Sequence, residues 1–98
     1  MNLEEFRASL GHAAPPESIA PALQAMWREA NDNWDAAHKL AQSQDDATGA
    51  WVHAYLHRVE GDESNAAHWY RRAAKPHSKA PRSEEWEEIV TVLLDALA

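Results

Sequence analysis

The sequence predicts an all-α protein: one small domain in which two helical hairpins are flanked by an N-terminal and a C-terminal helix. Three observations predict it. The chain repeats itself at a period of 30 residues, since Arg28–His38 laid on Arg58–His68 matches at Arg28/Arg58, Asp32/Asp62, Ala36/Ala66, Ala37/Ala67 and His38/His68. Apolar residues recur three and four apart through most of the chain, the spacing of a helix face. No stretch alternates polar and apolar residues as a half-buried strand requires.

Each element follows from local chemistry. A first helix over 3–10 has Asn2 as cap, Glu5 three positions later as in a capping box, and Gly11 to end it. Pro15 and Pro16 forbid helix in the linker. A second helix starts near 18–21 and carries Leu23, Met26, Trp27 and Ala30 on one side. The polar break Asn31-Asp32-Asn33 separates it from a third, with Trp34, Ala37, His38 and Ala41. The two stripes are nearly in phase, so a single helix over 21–43 is the alternative, but Gly61 at the matching place argues for a break. Asp32 and Asp62 are the expected caps of the helices that follow them. Thr48 is the expected cap of a fourth helix carrying Trp51, Val52, Tyr55, Leu56 and Val59. A fifth runs over about 64–74, and Pro76 and Pro81 bracket the connector after it. Ser83 is the expected cap of a sixth helix over about 84–97, whose first-turn glutamates suit the positive end of the helix dipole. The repeats therefore span about 21–43 and 49–74, within one domain over 1–98.

The paired alanines let two helices approach closely while bulky neighbours fill the space alongside. With these elements in place, R-x-x-G/N-D-x-x-x-A-A over about 21–74 resembles tetratricopeptide-like repeats. The resemblance implies helix–turn–helix units that stack and bind a protein or peptide in the groove lined by the second and fourth helices. On that reading Trp27, Arg28, His53, His57 and Arg58 line the groove, and Trp69, beside Arg71 and Arg72, is a further partner contact. The stretch 49–73 is also similar to a family of short bacterial proteins, which implies no activity. Two hairpins leave open ends. The first and sixth helices are expected to cap them, the alternative being a homodimer through the sixth.

Composition narrows the function. The chain of 98 residues has net charge −7, 45% apolar residues and no cysteine. That excludes a disulfide, a thiol nucleophile or a thiolate metal site. Bases without acids fill 68–82 and acids without bases fill 83–98, a pattern of internal neutralisation. An acidic chain is a poor fit to a phosphate backbone, so no nucleic-acid partner is expected. No apolar run reaches membrane-spanning length and no signal peptide is recognisable, so no membrane partner and a cytoplasmic location are expected. No glycine-rich phosphate loop or nucleophile elbow is present.

The six histidines raise one chemical possibility. His53, His57 and Glu60, spaced four and three apart, share a helix face and could hold a divalent transition metal such as zinc. The spacing equals that of helical zinc proteases, but Ala54 stands where their glutamate base would be, which excludes that activity. His38 and His68 could complete the coordination sphere only if the fold brings them across; otherwise they are structural.

Overall fold

The computed structural model describes residues 1–97. Six helices follow in order: α1 (Leu3–Ser9), α2 (Pro21–Ala30), α3 (Trp34–Ser43), α4 (Ala47–Val59), α5 (Glu63–Ala73) and α6 (Arg82–Asp95). They form one small globule with a radius of gyration of 12.3 Å.

The break at residues 31–33 is real, and its geometry explains the repeat. Asp32 takes a left-handed conformation (φ 61°), Asp32 N–H donates to Glu29 O, and Asn33 N–H donates to Arg28 O. The second turn is built the same way: Gly61 is left-handed (φ 88°), Gly61 N–H donates to Arg58 O, and Asp62 N–H donates to His57 O. Both are Schellman ends, in which two otherwise orphaned helix carbonyls are satisfied. The residue after each left-handed position then caps the next helix, Asn33 accepting from Ala36 N–H and Asp62 from Asn65 N–H.

The structural repeat therefore runs from 33 to 62, one residue shorter than the sequence identities suggest. Asp62 caps as expected, but Asp32 does not, because it occupies the left-handed position that Gly61 fills in the second turn. Ala37 and Ala66 become the equivalent pair, both fully buried, whereas Ala36 and Ala67 are half-buried. His38 and His68 are no longer equivalent: the first is half-buried and the second is exposed.

Two other expected caps are replaced. Asp46, not Thr48, accepts from Gly49 N–H at the start of α4. Pro81 precedes α6, and no side chain caps that helix, so Ser83 lies within its first turn. At α1 the capping box is present, with Asn2 Oδ1 accepting from Glu5 N–H and Glu5 Oε1 accepting from Asn2 N–H.

Helix α2 packs most closely on α3, and α4 on α5, each pair joined by one of the Schellman turns. Helix α4 is the centre of the molecule, since every residue from Gly49 to His57 is buried. At its start a Cβ on Gly49 would stand 1.8 Å from Gln44 O, so only glycine admits this approach of the α3 end to α4.

Helix α6 lies against α2, α4 and α1. It buries Trp86, Ile89, Val90, Leu93 and Leu94 there. Trp86 donates its indole N–H to Met26 O, and Trp27 donates to Ser9 Oγ of α1. Large rings bury much apolar area, but each needs a partner for its N–H; these two bonds supply one while locking α1 and α6 to α2. Among the described residues no helix is long and apolar enough to cross a membrane.

Candidate metal centre

Spacing along α4 sets His53 above His57 on one face, one turn apart. Packing of α3 on α4 then delivers His38 to the same point. His38 Nε2 and His53 Nε2 are 2.9 Å apart, close enough to share a proton. The ring centroids are 4.6 Å apart for His38–His53, 4.7 Å for His53–His57 and 5.3 Å for His38–His57. One ring nitrogen from each of the three lies within 4.8 Å of the others.

The surroundings fix the rings. Trp34 stacks on His38 at 4.7 Å, and its indole N–H donates to Leu56 O of α4 at 2.7 Å. Trp69 stacks on His53 at 3.8 Å. Glu60 Oε1 is 2.6 Å from His57 Nδ1. With Nδ1–H donating to this carboxylate, the lone pair of His57 resides on Nε2. A carboxylate behind a metal-binding histidine fixes its tautomer and orientation in this manner.

Electrostatics favour the neutral form of two of these rings. Burial lowers the His53 pKa to about 4, and the neighbouring His38, His57, His68 and Arg72 add to the effect. Burial, then His57, lowers that of His38 as well. Both rings therefore keep free lone pairs at neutral pH, the form in which imidazole binds metal.

The sequence-predicted ligands are thus partly regrouped. His53 and His57 gather with His38, whereas Glu60 gathers with His57 and Asp62. His68 stays outside, exposed on α5. The four-residue spacing of Trp34 and His38 accounts for their stacking but not for the approach of His38 to α4. The identity-based pairing of His38 with His68 concealed it.

The residues expected to meet a partner are placed differently from one another. Trp27 is 2% exposed and bonded to Ser9. Arg28 is half-buried, with its guanidinium over the Trp27 ring at 5.2 Å. Arg58 turns inward to Glu85, Nη1 to Oε1 at 2.8 Å, and also donates to Ala80 O. Trp69 is half-buried between His53 and the guanidinium of Arg72. Helix α6 of the same chain contacts both α2 and α4.

Glu85, 1% exposed, is the functional-looking residue that sequence reasoning passed over. It lies four positions before Ile89, on the apolar stripe of α6, and that phase was its signal. It accepts from Arg58 and from the Tyr70 hydroxyl at 2.5 Å, which accounts for its burial structurally. The chain matches no family model, no curated protein and no solved structure.

Proposed function

We propose that this protein binds a divalent transition metal through His38, His53 and His57, with Glu60 positioning His57 from behind. The observation that carries this reading is the convergence of three imidazoles from two helices. Tetrahedral zinc with bonds near 2.0–2.1 Å needs ligand nitrogens roughly 3.3 Å apart. Ring nitrogens within 4.8 Å of one another approach that arrangement with small side-chain rotations. An all-imidazole set suits zinc, cobalt, nickel or copper and disfavours calcium or magnesium, which prefer oxygen. The burial of His53 and His57 also excludes water, which strengthens the bonds to an ion. A peptide in the α2–α4 groove has less support, because Trp27, His53 and His57, which would line it, are buried.

The test is thermal and chemical unfolding with zinc, cobalt or nickel against an EDTA-treated control. An ion binding only the native state stabilises it by about 2.7 kcal/mol at one hundred times its Kd. His38→Ala, at a half-buried position where truncation costs least, abolishes the stabilisation without unfolding the chain. Equal stabilisation of wild type and variant, or none in either, overturns the reading.

A further inference from the structure

We propose that a second site, apart from the histidine cluster, binds a medium-chain fatty acid, with its chain in an apolar cavity and its carboxylate at Lys75. The cavity, of about 260 Å³, opens between the starts of α2 and α4, the end of α5 and the end of α6. Neither His38, His53 nor His57 lines it. An apolar cavity of about 150 Å³ already admits benzene, so this one has room for an acyl chain.

The walls follow from the helix stripes. Leu23 of α2, Trp51 of α4 and Leu93 of α6 belong to the core, and each also lines the cavity. Val92 and Leu97 line it from α6 while staying 46% and 53% exposed, two of the three large apolar side chains left in solvent among the described residues. Uncovered apolar surface gathered at a cavity is surface that an apolar ligand can bury. The polar side chains of the lining are Gln44, Thr48 and Lys75. Gln44 bonds within the protein, Oε1 accepting from Ala22 N–H at 2.8 Å and Nε2 donating to Asp46 at 3.3 Å. The Thr48 hydroxyl and the Lys75 ammonium remain to orient an occupant, as in small-molecule sites that are mostly apolar with a few polar groups.

Charge selects the head group. In a chain of net charge −7, Lys75 is the one charged residue lining this cavity among the described residues, and it enters no ion pair there. The backbone holds it in place: Ala74 is left-handed (φ 57°), and Lys75 N–H donates to Tyr70 O at the end of α5. The ammonium stands 4.2 Å from the centroid of the Trp51 ring, a cation–π contact that keeps it at the cavity. On their other side Lys75 and Trp51 border a smaller cavity of about 110 Å³, lined also by Glu85 and Glu88. Glu85 is engaged by Arg58 and Tyr70, and Glu88 is exposed. A fatty acid lying against Leu23 and Leu93 therefore meets a cation and no opposing carboxylate in the same cavity.

Amide NMR titrations of the full chain with hexanoate, octanoate, octanol and octylammonium, each below its micelle concentration, test this. Octanoate should shift the Ala47, Lys75 and Leu93 amides with saturation and bind about tenfold more tightly than hexanoate, since each buried methylene adds up to about fourfold. It should bind about fivefold more tightly than octanol, and Lys75→Gln, at an exposed position, should remove that advantage while leaving octanol unchanged. Octylammonium binding as tightly as octanoate, or octanoate binding Lys75→Gln as it binds wild type, overturns the proposal. So does the absence of saturable shifts at these amides. Shifts there that follow protein concentration without any ligand put a second copy of the chain on this face and overturn it too.

Discussion

At the residue scale the most consequential side chain is His53, because its environment makes one protonation state dominant. The ring is 3% exposed and its pKa is lowered to about 4, by burial first and then by His38, His57, His68 and Arg72. In the unfolded chain the same ring titrates near 6.5, so between these values the unfolded state binds more protons than the native one. The stabilisation is complete above pH 6.5 and is lost as pH falls through about 4. Allowing for partial solvent screening, the loss in metal-free protein is about 2 kcal/mol. Urea unfolding at pH 7, 5.5 and 4.5 measures it, with His53→Gln as reference. Parallel pH curves for the two proteins would refute the assignment. Sequence placed His53 beside His57 through helical spacing alone. It did not place His38 there, because that neighbour comes from another helix.

At the element scale, local signals located the helices well and their caps less well. Asn2 with Glu5, and Asp62, cap as their positions require. Asp32, Thr48 and Ser83 are plausible cap residues by type, yet the backbone passes each of them in a different conformation. A cap needs an extended residue just before the first turn, and a one-residue shift in where the preceding helix ends moves that role to a neighbour. Asn33→Ala, Asp46→Ala and Asp62→Ala should each cost about 1 kcal/mol, whereas Thr48→Ala and Ser83→Ala should cost no more than a few tenths. Denaturant midpoints for the five variants separate the two groups. A cost at Ser83 equal to that at Asp62 would contradict the observed start of α6. The same one-residue logic explains why the 30-residue sequence period and the 29-residue structural interval between Asn33 and Asp62 differ. Identical side chains mark similar roles, but the left-handed residue decides the register.

At the scale of the whole molecule, a single buried ion pair joins three helices. Arg58 of α4, Tyr70 of α5 and Glu85 of α6 meet, with Glu85 accepting from both partners. Arg58 also donates to Ala80 O in the connector, so the same guanidinium fixes the path into α6. Removing one member of a buried pair strands the other, and Glu85→Ala should cost about 3 kcal/mol. Replacing both members by apolar residues, Arg58→Met with Glu85→Leu, should cost clearly less than the sum of the single changes. Urea unfolding followed by tryptophan fluorescence decides this, and strict additivity would show that the pair is not coupled. The arrangement also bears on partner binding. With α6 packed on α2 and α4, Trp27, His53 and His57 are buried, whereas Arg28 and Trp69 are half-buried.

What the sequence by itself determined is what depends on neighbours along the chain. These are the all-helical class, the six segments, the polar breaks, and the stacking of His53 on His57. Hydrophobic periodicity and turn chemistry act over a few residues, so they are legible without the fold. What only the tertiary structure decided depends on contacts between distant residues: His38 rather than Glu60 beside His53, Arg58 paired with Glu85, and α6 against both α2 and α4. Helix-on-helix packing chooses among several faces of similar apolarity, and that choice rests on small differences in fit summed over the whole core.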